Sequence, residues 1–423
     1  MKLAFVTPRY GADVASGAEH ACRLLAEHVS GRHHVEVLTT CARDPQTWAN
    51  ELSESTDRVR GVLVRRFAVN QRHDADAFRR LSREMAGMPH GREDEREWVR
   101  QLGPNSPGLI DHLKRHSRSF DAVLFFSLYH ATTVFGVEVA AERSILFPHV
   151  QVDPVLRFGI WHDVFRAIKA VGYLSSSERT VIRDYLRVPV NEEFVGIGID
   201  VPAQQSYPRH QQDPSDEPES EDDQSSPPEP AEEAESYLAG RGVMFRRRHR
   251  LYGPFVLYGG RLQPDNGTEE MLEYFDAYAA GNGDTPLVLM GVKLMTVPDP
   301  RFVRMAGILP DRERMVACEA AEVTLAPDST DLLGTSVLES FAVGTPVLAS
   351  ARNPAAVDHC RRGNGGLFYA TRDEFIDAMR LLMSDPRLRQ RLGESGRRYV
   401  NQHCRWDAVL GRFERLLARV RQP

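Results

Sequence analysis

The sequence predicts an α/β protein built of two doubly wound parallel-sheet domains, and three observations predict it. The chain is 423 residues long, more than one ordinary core accommodates and comfortable for two. Both halves alternate short, continuously apolar runs with helical stretches, the pattern of parallel strands covered by helices on both faces. Between the halves lies QQSYPRHQQDPSDEPESEDDQSSPPEPAEEAES (204 to 236), which has almost no apolar residues. Such a stretch cannot bury enough surface to offset its ordering entropy, so it reads as a disordered linker. The expected boundaries are 1–203 for the first Rossmann-like domain, 204–240 for the acidic linker, 241–404 for the second domain and 405–423 for a C-terminal helix.

In the first half, KLAFVTP and HHVEVLTT read as strands on either side of the amphipathic helix AEHACRLLAEHVS. DAVLFFSL, SILFPHV, AVGYLSS and EEFVGIG read as further buried strands. In the second half, PFVLYGG, PLVLMG, EVTLAP and TPVLAS are strands, divided by the helical GTEEMLEYFDAYA, DRERMVACEAA and TSVLESFAVG. The final RWDAVLGRFERLLARV spaces its apolar residues at helical intervals, which predicts an amphipathic helix packed on one domain or across both. In doubly wound sheets, ligands bind beyond the carboxyl ends of the strands, so the glycine-bearing turns there are where chemistry is expected.

With 42% hydrophobic and 26% charged residues the chain reads as globular and soluble. No apolar run reaches the roughly 18 residues of a membrane span, and the opening MKLAFVTPRYG breaks too soon for a secretory signal. The expected location is the cytoplasm or the inner face of the membrane. The five cysteines are odd in number and contain no CxxC pair, which predicts reduced thiols and no metal site. Eleven Asp and Glu with no Lys or Arg fall between Asp213 and Glu235, so the rest of a chain of formal charge -6 is net basic. A mildly basic body suits small anionic ligands; nucleic acid is not an expected partner. The run RRRHR at 246–250 reads first as a solvated helix face, with weak association to an anionic membrane surface as the alternative.

Three stretches carry candidate chemistry. PRYGADVASGAEHACRLL follows the first strand, and there Gly17 opens a helix whose first amides could meet an anion. Its spacing is not GxGxxG, which argues against a nicotinamide site; an ordinary strand-to-helix turn is the plain alternative. GGRLQPDNG follows the first strand of the second half and puts Arg261 where it could neutralise a diphosphate, or simply face solvent. DSTDLLGTSVLESFAVGTPVLAS sets two carboxylates, Asp331 and Glu339, eight positions apart around Gly334, before a small-residue helix and an apolar strand. Hydroxyls and a phosphate together would suit that arrangement.

In order, VTPRYGADVASGAEHACRLLAEH, GGRLQPDNGTEEMLEYF and the Asp331-to-Glu339 segment resemble the landmarks of the GT-B retaining glycosyltransferases of family 4, over nearly all of both halves. The resemblance implies two domains facing each other across a cleft, the first on the acceptor side and the second holding a nucleotide-diphosphate sugar as donor. It implies that Glu339 accepts from ribose hydroxyls, that the amides around Gly334, Thr335 and Ser336 hold the diphosphate with Arg261, and that Asp331 binds the donor sugar. Gly17 would lie at the same ligand. The acceptor would be a glycan or a lipid-linked hydroxyl, and neither a metal nor a separate cofactor would be needed. Three departures stand out: Asp331 replaces the commoner Glu, Asn266 replaces a Lys of the diphosphate site, and PHVQVDP replaces a His-Asp-Glu run, leaving His149 as the candidate substitute or as a structural residue.

Because residues 207–235 have almost no apolar surface to contribute, deleting them is expected to leave the melting temperature and ligand affinity of the protein nearly unchanged. Thermal denaturation of the shortened chain checks this; a melting temperature lower by many degrees would show the segment packs on the body.

Overall fold

The computed structural model describes residues 1–14, 17–188, 191–201, 242–283, 285–297 and 302–421. The acidic segment 204–240 lies outside the described residues. The chain divides into two compact units, one of Met1–Gly198, Asp331–Leu333 and Gln402–Pro423, the other of Ile199–Thr330 and Gly334–Asn401.

The first unit is built on an eight-stranded sheet in the order β3-β4-β2-β1-β5-β6-β7-β8. Its strands are β1 (Lys2–Val6), β2 (His34–Thr40), β3 (Thr56–Val59), β4 (Val62–Phe67), β5 (Ala122–Phe126), β6 (Ser144–Phe147), β7 (Ala170–Tyr173) and β8 (Glu192–Phe194). All neighbours are parallel except β3 and β4, an antiparallel hairpin at one edge. Every residue of β5, β6 and β7 is buried, which is why these strands are apolar without alternation. Phe126 and Phe147 stack 4.7 Å apart at the carboxyl ends of β5 and β6.

The C-terminal helix Trp406–Arg421 belongs to this unit. It buries Phe413, Leu416 and Leu417 almost completely, with the Phe413 ring 6.4 Å from that of Phe5 on β1. Its polar side is fastened to the sheet margin, where Arg415 and Arg419 hold Glu193 at 3.0 and 2.7 Å and Glu414 meets His33 at 2.7 Å. The apolar stripe legible in the sequence thus closes one face of the first sheet.

The second unit carries a six-stranded parallel sheet in the order β11-β10-β9-β12-β13-β14. The strands are β9 (Val256–Gly259), β10 (Leu287–Met290), β11 (Val303–Gly307), β12 (Val323–Ala326), β13 (Val347–Ser350) and β14 (Gly366–Tyr369). The chain starts at β9, builds outward to β11, then returns to the other side of β9 to lay down β12. That reversal makes the crevice between β9 and β12 the topological switch point, where a doubly wound sheet leaves room for a ligand. In the first sheet the same reversal falls between β1 and β5.

The RRRHR run ends the helix Val243–His249 and is not a uniform basic face. Arg246 is buried, donating to the Gly253 carbonyl at 2.8 Å and to that of Ala320, with its guanidinium 5.0 Å over the Phe255 ring. Arg248 pairs with Glu313 at 2.6 Å. Among the described residues no helix is long and apolar enough to cross a membrane, and all five cysteines are buried as free thiols.

Since Leu416 is fully buried under the first sheet, Leu416→Ala is expected to destabilise the protein by about 2–5 kcal/mol, the usual result of truncating a buried leucine. Urea denaturation followed by tryptophan fluorescence checks it, and a loss under about 1 kcal/mol would mean that the helix can collapse onto the cavity.

Candidate functional site

The switch point of the second unit is lined by the two loops that the sequence singles out there. After β9 the chain forms loop 260–267, in which Asp265 takes a positive φ of 66°. The backbone carbonyl of Arg261 accepts from Tyr258 Oη at 2.9 Å and Asn266 Nδ2 at 3.1 Å, with the Thr268 hydroxyl oxygen 3.3 Å away. The guanidinium therefore leaves from a fixed backbone into solvent, since Arg261 itself is exposed. Asn266 departs from the expectation that it faces a diphosphate. It is 1% exposed, its amide donates inside the loop, and its Oδ1 accepts from the Thr268 backbone at 3.1 Å and hydroxyl at 2.6 Å. Its side chain braces the loop that displays Arg261.

After β12 the chain enters residues 327–334. Ser329 N donates to the Asn266 carbonyl at 3.0 Å, tying the second loop to the first. Asp328 Oδ1 accepts from Thr330 N and Oγ1 at 2.8 and 2.6 Å, and Asp331 Oδ1 accepts from Leu333 N at 3.0 Å. These are successive Asx turns, with side chains standing in for backbone acceptors. One oxygen of Asp331 is thus committed to its own turn. Gly334 then caps the helix Thr335–Val343 in the left-handed region, φ 63° and ψ 34°. A Cβ there would lie 2.6 Å from the ring of the buried His359, so both the backbone angle and the space call for glycine.

Beyond Gly334 the first amides of the helix, at Thr335 and Ser336, precede any intrahelical acceptor and carry the positive end of the helix dipole. Both residues are partly exposed. Glu339 follows on the same helix, 8% exposed, with Arg314 Nη2 donating to its Oε1 from the helix Asp311–Ala320. Sequence reasoning missed Arg314; nothing in the spacing of DRERMVACEAA marks it, because the contact is made between helices. The arrangement gathers Arg261, a helix amino terminus and a buried, ion-paired carboxylate in one unit.

The first unit assembles its own polar cluster at its switch point. Arg9, after β1, makes a two-pronged ion pair with Glu19 on the helix Gly17–Val29, both distances being 2.8 Å. Gly17 has φ 39°, and a Cβ on it would lie 2.6 Å from His149 Nε2, so the glycine faces the imidazole that follows β6. His149 itself has φ 51°, and Ser127, after β5, has φ 74°; both are unusual for residues with a side chain. The His149 amide donates to Glu178, which also accepts from Leu174 N at 2.8 Å. Burial pushes the Glu178 carboxyl up to about 7 against the pull of those amides.

His149 Nδ1 is buried without a hydrogen-bond partner among the described residues. Burial holds its pKa down to about 4, partly offset by the negative charge of Glu19. His130, which the sequence reading missed, sits in the same cluster, with Ser127 Oγ 2.8 Å from its Nδ1 and the Trp48 ring edge-on at 5.7 Å. Burial lowers its pKa to about 4 as well, so both imidazoles are neutral at pH 7. Among the described residues no group of three His, Cys, Asp or Glu side chains is placed to hold a metal ion.

The fold and part of the sequence resemble known proteins. Residues 244–399, which span the second unit's sheet, match the family model described as glycosyl transferases group 1. A glycosyltransferase 1 domain-containing protein 1 of Xenopus tropicalis is 29% identical over 87 residues, a match that covers 20% of this chain and 24% of that relative. Among solved structures, the sucrose-phosphate synthase of Thermosynechococcus elongatus superposes with a TM-score of 0.61 at 17% identity, covering 99% of each chain. The Anabaena HepE structure in complex with UDP-glucose gives a TM-score of 0.64 at 13% identity, again over 99% of each. The fold of this chain is GT-B, two parallel-sheet α/β domains, with a glycosyl transferases group 1 match in the second.

Proposed function

We propose that the protein is a retaining, metal-independent glycosyltransferase of family 4 that moves a sugar from a nucleotide-diphosphate donor to a hydroxyl acceptor, in glycan, glycolipid or exopolysaccharide synthesis. The observation that carries this reading is the second unit's switch point, where the loop displaying Arg261 is hydrogen-bonded to the loop that leads through left-handed Gly334 into the helix bearing Glu339. Glu339 accepts from the ribose hydroxyls. The amides of Gly334, Thr335 and Ser336 and the Arg261 guanidinium receive the diphosphate, and Asp331 binds hydroxyls of the donor sugar.

In this mechanism the bond between the anomeric carbon and the diphosphate oxygen breaks, while the acceptor oxygen bonds to that carbon on the same face. The acceptor proton passes to the departing phosphate oxygen. Arg261 and the helix amides stabilise the charge gathering on the leaving group, which is where preorganised donors lower a barrier most. His149 and His130, neutral and largely withdrawn from water, serve the acceptor side as hydrogen-bonding groups rather than as cations. The protein acts in the cytoplasm or at the inner face of the membrane.

A second reading, a catalytically degenerate scaffold that binds a nucleotide sugar or a partner protein, draws on Asn266, whose side chain is buried in its loop where the family places a cation. A scaffold binds donor without turnover, whereas an enzyme releases diphosphate on a panel of nucleotide sugars.

Three substitutions test the assignment. Glu339→Gln is expected to weaken intact donor and bare nucleoside diphosphate alike, by roughly 1.5 to 3 kcal/mol for a lost charged hydrogen bond. Asp331→Asn should spare the bare diphosphate and lower turnover of the donor, because its partner exists only on the sugar. Arg261→Ala should weaken a nucleoside diphosphate more than the nucleoside. Calorimetry and a diphosphate-release assay provide both readouts, and equal loss of bare diphosphate in Asp331→Asn and Glu339→Gln would refute the division of labour between the carboxylates.

A further inference from the structure

The assignment of Glu339 to ribose leaves open what aims so buried a carboxylate. We propose that Arg314 is a positioning residue for nucleotide recognition, holding Glu339 from the neighbouring helix as a charged acceptor in the orientation that a ribose diol requires. This rests on the glycosyltransferase reading and extends it to a residue outside the motifs that suggested it.

The geometry is direct. Arg314 Nη2 donates to Glu339 Oε1, and the two side chains are 27% and 10% exposed. The helices Asp311–Ala320 and Thr335–Val343 pack against each other, so the pair spans a helix interface rather than one helix face. Cys318, one turn beyond Arg314, joins the same electrostatic cluster: burial raises its thiol pKa most, the Glu339 charge raises it further and Arg314 opposes. On the sheet side, β12 and β13 have no ionisable side chain; Thr324 there receives the Ser340 hydroxyl at 2.9 Å. From the helix Pro354–Gly363, His359 meets Gly334 at the amino terminus. Among the described residues, Arg314 is a cation paired with Glu339 in this cluster.

The chemistry follows from that environment. A buried carboxylate without a cation tends to protonate, because burial penalises the charged form. A protonated carboxyl donates through one of its oxygens and is a poorer acceptor for two adjacent hydroxyls. A guanidinium stays charged throughout the physiological range and is planar, so it fixes the carboxylate plane as well as its charge. Such a role acts on donor and nucleotide affinity, hence on KM, and leaves kcat nearly unchanged.

The test is calorimetry with UDP, and with GDP and ADP in parallel, on wild type, Arg314→Met, Arg314→Lys, Glu339→Gln and the Arg314→Met/Glu339→Gln double variant, from pH 6 to 8.5. Dividing each variant's Kd by that of wild type at the same pH removes the ionisation of the phosphates. For Arg314→Met the ratio is expected to be about tenfold or more at pH 6 and to shrink as pH rises, since a carboxyl whose pKa has been raised regains its charge only at higher pH. Arg314→Lys should restore most of the affinity and flatten the profile. In the Glu339→Gln background, Arg314→Met should cost little more. A ratio that does not change with pH, or an undiminished loss in that background, overturns the proposal and leaves Arg314 a packing or phosphate contact. Should Arg314→Met fail to fold, Arg314→Gln, uncharged but still able to hydrogen-bond, is expected to reproduce its pH profile. If wild type binds none of the three diphosphates, the glycosyltransferase reading falls and this inference with it; binding with a pH-independent ratio removes only the role of Arg314.

Discussion

The reversal of strand order beside β9 is the constraint on which the candidate site depends. A parallel sheet wound outward in one direction and then in the other must leave two adjacent strands, here β9 and β12, whose following loops turn to opposite faces. The loops after these strands are the ones that contain Arg261 and Gly334, and the Ser329–Asn266 hydrogen bond records how closely they approach. Asn266 shows how the constraint is met at side-chain level. A residue there could have reached toward a ligand, yet it is buried and satisfies a backbone that no ladder bond reaches. A loop that displays a charged side chain needs such internal acceptors and donors, because unpaired backbone groups in a buried turn cost as much as a lost hydrogen bond.

Much of the fold was legible in the sequence, and the unread parts have a common physical origin. Strands such as β5, β6, β12 and β13 are buried throughout, so their sequences are plainly apolar. The strands that went unread are β3, β4, β11 and β14. β3 is almost wholly exposed and β4 alternates, β11 is half-exposed and includes Arg304, and β14 is an edge strand. β3, β11 and β14 are edge strands, which bury one face at most and resemble loops in pattern, and β4 is the neighbour of β3, buried on one face. The C-terminal helix was legible because its stripe is long, with Val409, Leu410, Phe413, Leu416 and Leu417 all buried.

The site was legible where its chemistry is local. Gly334 and Glu339 lie within six residues on a turn and its helix, and Gly17 opens a helix after a strand, so spacing alone draws attention to them. His130 and Arg314 were not legible, because each becomes relevant only through a partner distant in the chain. His130 gains its meaning from Trp48 and the Glu19 charge, and Arg314 from a carboxylate 25 positions away. Charge pairs between packed helices leave no periodic signature. The run RRRHR shows the converse: it is conspicuous in sequence, yet one of its arginines is buried in the domain body and another is paired.

The two units set a carboxylate and an arginine together at their switch-point helices, Glu19 with Arg9 in the first and Glu339 with Arg314 in the second. Thermodynamic stability is a weak reason for either pair. Removing two charges from water costs several kcal/mol per ion, and in many proteins a well-packed apolar pair of similar volume serves stability as well or better. What an apolar pair cannot do is present a directional acceptor with a fixed charge beside a helix amino terminus. In the first unit the Glu19 charge also bears on both imidazoles, drawing their pKa values upward against burial. Burial still prevails there, and the result is two neutral imidazoles near a neutralised carboxylate, a polar site with little net charge. In the second unit Arg261 is exposed, on a backbone whose carbonyl accepts from Tyr258 Oη, so that site offers an accessible positive charge where the first has its arginine paired. That difference in charge suits the proposed arrangement, with an anionic donor on the second unit and a hydroxyl acceptor on the first.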